Sequence, residues 1–444
     1  MNKFFNSFIQ AIKRIALSFT KESILAGFFF FLVLCSWYIL RPVRNEMAVQ
    51  NSEVLPYLLG IGALVMLLLN PVYSWLASRK NLRGVLIGCY SFFISNLLGF
   101  IILLQFFDPS SSMSLGQILP EVFFYKWQFL DPALSISLSQ IFYIWCNVYS
   151  FFVVSIFWVV IINLFRGENA ANVFGVIAAG GSLGAYLGSE ISKQLASTFN
   201  ESGIIFFTMI AIVFLCLALS TGLVLMQRFS GLKGVNESPG GSSFDAIKNL
   251  VSSSQIRSIG LYMYLWTALM TVHWITSVEI VDAWSSDGGD RIIFFSQIEQ
   301  TVTVLTLFTQ FFLTAAIIRV VGPKYILMSY GFLFTGVFIG YFLAPTIGYV
   351  FVVTIILRLF EYGINKPTRE LIFSYLKKVD RYKSSVFVDT FLVRLGDFSG
   401  AQFIVIASKG FGVAFSQIPL LAIPFAGCVA LLGWKIPPKE QIKS

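Results

Sequence analysis

Residues 22–45 read ESILAGFFFFLVLCSWYILRPVRN. From Ser23 to Leu40 the run is mostly apolar and carries no charge, and its 18 residues make a helix of about 27 Å, close to the ~30 Å hydrocarbon core of a bilayer. Runs of this kind recur along the chain at 22–45, 54–78, 83–107, 136–164, 171–195, 203–227, 257–281, 292–318, 323–343, 346–375, 384–407 and 412–434. Backbone facing lipid must satisfy its own hydrogen bonds, so the runs are expected to be helices. The alternating ten-residue signature of an outer-membrane barrel is absent. The first run is long, lacks a clear small-residue cleavage site and is followed by another span, which argues against a cleaved signal peptide. The expected fold class is an all-α polytopic membrane protein with twelve transmembrane helices in two six-helix halves.

Composition agrees with this reading. The 444 residues are 57% hydrophobic and 12% charged, with a net charge of +9. Soluble domains carry about 25% charge. The composition excludes a soluble globular enzyme and a disordered chain, and it makes nucleic acid an unexpected partner. With both termini placed in the cytoplasm, 21 of the 31 Lys and Arg fall on the cytoplasmic side and 6 on the outer side, and Arg358, Lys366, Arg369 and Arg394 fall within spans. Such an excess is the mark of topology. The expected placement is multi-pass in the inner (plasma) membrane, with lipid as the surrounding partner.

Segment 228–256 holds the one stretch rich in Ser, Gly and Pro, and so divides the chain into an N-terminal half, 1–227, and a C-terminal half, 257–444. Phe244–Ile256 has the composition of a short surface helix, and Phe5–Phe19 that of an interfacial one. The halves resemble each other. A shift of 240 residues places Arg79 on Arg319, and a shift of 212 places Gly184 on Gly396 and Gly188 on Gly400. Parallel repeats of this kind are a common transporter plan, and Arg79 and Arg319 are candidate gating residues at equivalent loops.

The remaining motifs divide between packing and chemistry. Gly180-Gly181-Ser182-Leu183-Gly184 fits the G-x-S-x-G nucleophile pattern, but it lies inside an apolar span rather than between a strand and a helix. With Gly188, and with Gly396 and Gly400 in the other half, these glycines read as helix-packing positions. The five cysteines, Cys35, Cys89, Cys146, Cys216 and Cys428, are expected to be small buried hydrophobes. With His273 as the single histidine and no Cys/His cluster, no metal site and no cofactor are expected. No G-x-x-x-x-G-K-[ST] phosphate loop is present, which argues against direct ATP drive.

Charges within spans are the sharper signal, since each is expensive in a bilayer unless paired or facing water. Span 10 carries Arg358, Glu361, Lys366, Arg369 and Glu370, with Arg358–Glu361 and Lys366–Glu370 spaced to pair, and Pro367 placed to kink the helix. Span 11 carries Asp389, Arg394 and Asp397, and span 8 opens with Glu299. Arg41 and Arg44 share a face at the outer end of span 1. Six bases (Arg41, Arg44, Arg358, Lys366, Arg369, Arg394) face six acids (Glu46, Glu299, Glu361, Glu370, Asp389, Asp397), so no net charge demands an anion. Arg41, Arg44, Arg358, Lys366 and Arg394 are the candidate substrate-binding residues, since arginine forks suit carboxylate and phosphate. Glu361, Asp389 and Glu299 are the candidates for ion coupling.

Two resemblances sharpen these expectations. SWLASRKNLR, residues 74–83, is similar to the basic loop motif of the major facilitator superfamily at Leu76, Ala77, Arg79 and Arg83, with Ser74 and Ser78 replacing its usual glycine and aspartate. YILRPVRNEM, FGVIAAGGSLGAYLG and EYGINKPTRELIFSYLKKVDRYKSSVFVDTFLVRLGDFSGAQ resemble bacterial relatives of the ATP/ADP translocase (nucleotide transporter) family, which has the major-facilitator fold. Departures lie at Pro42 and Asn45, where nucleotide exchangers tend to carry aspartates, and at Gly396-Asp397-Phe398, where they tend to carry a lysine. The resemblance implies a non-enzymatic, monomeric secondary transporter. It would move a small polar solute, anionic or nucleotide-like, with a proton or counter-solute as coupling partner, and Arg41 and Arg44 would face the solute. The rival readings are an exporter or siderophore-type permease, in which the arginines only pair with acids, and a membrane enzyme or sensor.

Overall fold

A computed structural model describes residues 20–77, 81–109, 112–114, 135–165, 170–199, 203–229, 254–374 and 388–436. The expected interfacial helix at Phe5–Phe19, most of the 228–256 linker and Arg79 lie outside the described residues. Among those described, helices occupy all twelve expected spans. They are α1 (Lys21–Val49), α2 (Leu55–Ala77), α3 (Leu82–Phe106), α4 (Leu138–Leu164), α5 (Ala170–Phe199), α6 (Ile204–Arg228) and α7 (Ser254–Trp284), followed by α8, whose parts are Gly288–Phe308, a π-turn at Thr309–Leu313 and Thr314–Val321. Next come α9 (Pro323–Leu343) and α10, formed by Ile347–Phe360, a π-turn at Glu361–Asn365 and Lys366–Ser374. In α11 the stretch Val393–Val405 lies between π-turns at Val388–Leu392 and Ile406–Gly410, and α12 runs from Phe415 through Ile423–Lys435. Two three-residue strands, Ser112–Ser114 and Ser135–Ser137, pair antiparallel between α3 and α4.

By length and composition, nine helical stretches qualify to cross a membrane among the described residues. α5, α7 and α11 are diluted by Gly and Ser or by charges such as Glu190, Glu279 and Asp397. Local chemistry sets the ends. The Thr20 side chain accepts from Ser23 N and the Ser23 side chain answers on the Thr20 backbone, a reciprocal cap at the start of α1. Asn81 and Thr346 cap α3 and α10 in the same way from one side. Gly322 turns the chain between α8 and α9 at φ 83°, and Pro323 begins the next helix without needing a hydrogen bond there.

The π-turn of α10 has a readable cause. Pro367 has no N–H, so the carbonyls four and five residues before it, Gly363 and Tyr362, lose their helical donor. Both are capped from α8: Thr314 Oγ1 donates to the Gly363 carbonyl, and Gln310 Nε2 donates to the Tyr362 carbonyl at 3.0 Å. Freed backbone in a membrane helix survives where a neighbouring helix satisfies it. The kink expected at Pro367 is therefore a π-turn just before it, docked against the π-turn of α8.

By packing, the chain forms two compact units. The first comprises the described residues of Met1–Gln50, Tyr73–Ser238 and Asp287–Gln300; the second comprises those of Asn51–Val72, Pro239–Ser286 and Thr301–Ser444. The start of α8 thus packs with the first unit, and most of α2 packs with the second. In the first unit, α1 is the central helix. Phe30 stacks on Phe157 of α4 with ring centroids 4.3 Å apart, Phe29 meets the same ring edge-on at 4.9 Å, and Ser36 bridges the Tyr149 hydroxyl at 2.6 Å and the Ala211 carbonyl at 2.8 Å. In the second unit α7 has the central role. His273 is buried, its Nδ1 2.8 Å from the Tyr341 hydroxyl and its Nε2 3.4 Å from Thr354 Oγ1, so both ring nitrogens have partners.

Gly180, Gly184 and Gly188 of α5 and Gly396 and Gly400 of α11 lie against the backbone of a neighbouring helix. A Cβ on Gly180 or Gly184 would strike the carbonyls of Gly27 and Phe31 on α1, and one on Gly188 would stand 2.6 Å from the Cys35 carbonyl. In the second unit a Cβ on Gly396 would stand 2.6 Å from the Tyr264 carbonyl of α7, and one on Gly400 would strike that of Ala268. Phe31 to Tyr264 and Cys35 to Ala268 are both steps of 233 residues, so α1·α5 and α7·α11 meet in the same register. One expectation is corrected: Cys35, Cys89 and Cys146 are buried, but Cys216 and Cys428 are exposed on helix faces otherwise lined by residues such as Leu217 and Phe425. A thiol is as compatible with an apolar exterior as with a core.

Candidate functional site

Buried charge concentrates in two places, one in each unit. In the first unit Arg41 lies near the C-terminal end of α1. Its Nε is 3.1 Å from Glu299 Oε1 of α8, its Nη1 donates to the Tyr38 hydroxyl at 3.1 Å, and its guanidinium stands 5.2 Å from the Tyr38 ring. Arg44, one turn on, stands over the rings of Tyr143 at 5.5 Å and Trp37 at 6.0 Å. Glu46 is fully buried and accepts from Arg291 Nη2 at 2.8 Å. Gln300 donates to Glu190 of α5, which also has Lys193 within 4.0 Å. Residues 291, 299 and 300, all on α8, thus fasten that helix to α1 and α5.

The start of α8 lies earlier than the expected span, which opened at 292 and left Arg291 outside it. Asp287 caps the helix by accepting from Gly289 N at 2.7 Å, so α8 begins at Gly288 and Arg291 lies in its first turn, with Glu299 eleven residues into the helix rather than at its opening. The string Asp287-Gly288-Gly289-Asp290 carries that signal. The pairings with Glu46 and Glu299 are not legible, because they join residues more than 240 positions apart.

In the second unit the charges of α10 and α11 pair differently from expectation. Glu361 does not pair with Arg358. Its Oε2 accepts from Asn365 Nδ2 at 2.6 Å and its Oε1 lies 3.4 Å from Arg369 Nη1. Asn365 accepts from the Tyr262 hydroxyl of α7 at 3.2 Å, and Arg369 Nη1 donates to Met263 Sδ at 2.7 Å. The physical reason is burial: Glu361, Asn365 and Arg369 lie at four-residue spacing on the face covered by α7, while Arg358 is only half-buried and stands 5.8 Å from the Tyr362 ring. Lys366 and Glu370 are exposed, and no ion pair joins them among the described residues. Arg394 donates to Asp397 at 2.9 Å, as the spacing implies, and Asp397 also accepts from Thr271 at 3.2 Å. The backbone of Asp389 lies in the first π-turn of α11. Arg319 is exposed at the end of α8. No group of three or more potential metal ligands occurs among the described residues.

The chain's fold can be set beside solved proteins. It is similar to a POT family transporter solved with 5-aminolevulinic acid, with TM-score 0.61, 12% identity, and coverage of 95% of this chain and 96% of that one. It is similar to a variant of the nucleoside transporter NupG, with TM-score 0.56, 14% identity, and coverage of 94% and 100%. A bacterial homologue of the human lysosomal transporter Spinster gives TM-score 0.54, 10% identity, and coverage of 94% and 96%. The fold is of the major facilitator type. No family model and no curated protein matches the sequence. The likeness extends along nearly the whole length of each chain, while identities of 10–14% leave the side chains within the fold this protein's own.

Proposed function

We propose that this protein is a secondary active transporter that moves a small polar solute across the inner membrane by alternating access, as a monomer with both termini in the cytoplasm. The observation that carries the reading is Arg41: a guanidinium within a membrane-spanning helix of a major-facilitator fold, held in place by Tyr38 and partly exposed. A charge so placed is expensive unless paired or facing water, and residues kept there at that cost mark solute and ion pathways. Arg41, with Arg44 beside it, supports a solute bearing carboxylate or phosphate. The resemblance of YILRPVRNEM and its companion strings to the ATP/ADP translocases supports a nucleotide-like member of that class. Glu299, in contact with Arg41, is the coupling carboxylate of first choice. Glu361, enclosed by Asn365 and Arg369, serves to fasten α10 to α7. Uptake by the purified protein in liposomes, tested with nucleotides, phosphorylated metabolites and other organic anions, is the experiment. Arg41→Ala is expected to lower uptake about 10- to 100-fold, the worth of a charge-assisted hydrogen bond or two. Unchanged uptake would sink the anion reading.

The exporter reading also has support, because Arg41, Arg291, Arg369 and Arg394 each pair with an acid. Arg394 is the clearest case, and we assign it to structure rather than to solute. Reversing either Arg394 or Asp397 alone should abolish uptake, and Arg394→Asp with Asp397→Arg together should restore it. A double variant as inactive as the singles would return Arg394 to the solute.

A further inference from the structure

Arg41 leaves part of its fork open. Its Nε is within 3.1 Å of Glu299 Oε1 but off the line of a hydrogen bond, and one N–H of its Nη1 is given to Tyr38. Its Nη2, with two N–H groups, meets no described residue, and the side chain is 17% exposed against 2% for Glu299. A carboxylate or phosphate fully docked on a guanidinium takes two N–H groups along one edge. Nε and Nη2 form such an edge, and Glu299 reaches only one end of it.

We propose that Glu299 is an internal competitor, which holds Arg41 until a carboxylate or phosphate group of the solute takes the whole Nε/Nη2 edge. This rests on the transport reading above and adds a role for the acid. Glu299 is also one of the ties that hold the start of α8 in the first unit, together with Arg291 on Glu46 and Gln300 on Glu190. Displacing it removes that tie, so binding of the anion and loosening of residues 288–300 become one event. Residue pairs used only for stability gain nothing from an open edge; a pair meant to be exchanged requires one.

The test uses the full chain in detergent, with inorganic phosphate and succinate as separate probes, each read by the shift in unfolding temperature it produces. Glu299→Gln removes the competing charge and keeps the shape. It is expected to bind the effective probe about tenfold more tightly than the wild type, because a guanidinium no longer neutralised attracts an oxyanion more strongly. Tyr38→Phe, which frees Arg41 from its support without touching a charge, is expected to bind several-fold more weakly. In a cysteine-free background, Glu190→Cys and Gln300→Cys should cross-link less in the presence of that probe. Equal or weaker binding by Glu299→Gln, or a cross-link indifferent to the anion, overturns the proposal. So does the absence of a shift with both probes. If liposomes then still take up an uncharged solute, the transport reading stands and only this inference falls.

Discussion

Arg291→Ala is expected to destabilise the protein by about 3–5 kcal/mol, the range for removing one partner of a buried ion pair. The carboxylate it leaves is that of Glu46, which is 0% exposed and lies 2.8 Å from Arg291 Nη2. Without the guanidinium 2.8 Å away the buried carboxylate loses its closest cation, and the end of α1 must adjust to carry the charge. Pairing the change with Glu46→Gln removes that charge and should recover most of the loss. Thermal unfolding of the full chain in detergent measures both. If the single variant unfolds within a degree or two of the wild type, the pair is not buried as described.

Gly184→Val is expected to cost about 3 kcal/mol or more, at the upper end of overpacking effects. Its side chain would enter the space of the Phe31 backbone, which cannot turn aside as a flexible side chain can. α1 and α5 would have to separate along their length, since Gly180 and Gly188 make the same approach one turn to either side. The control is Gly99→Val on α3, which meets nothing within 4 Å and should stay within about 0.5 kcal/mol. Equal unfolding temperatures for the two valine variants would remove close helix approach as the reason for these glycines.

The sequence is legible wherever the physics is local. Apolar runs long enough for a bilayer mark the helices, because lipid imposes one length and one backbone solution on every span. The glycines at 184, 188, 396 and 400 announce their role through four-residue spacing, and the structure adds only the carbonyls they meet. The charges are less legible, because a charge chooses the nearest opposite charge in space. Arg358 and Glu361 have ideal helical spacing, yet Glu361 turns to Arg369, because α7 covers that face and not the other. Arg41 and Glu299 are 258 positions apart, and no periodicity joins them. Pro367 lies between these cases: its lost hydrogen bond is plain in the sequence, but the response, two carbonyls capped by Thr314 and Gln310, needs α8 beside it.

The seating of glycines on carbonyls has a consequence for how the molecule can move. A carbonyl lodged against a glycine leaves no continuous track along which the two helices could slide. The next equivalent seat is four residues away, a jump of about 6 Å, and any position between would drive a Cβ into backbone. α1 and α5 therefore act as a single strut, and α7 and α11 as its counterpart. Any bending within the molecule is then expected in α8 and α10, which lie outside these two struts and whose ladders are interrupted by π-turns.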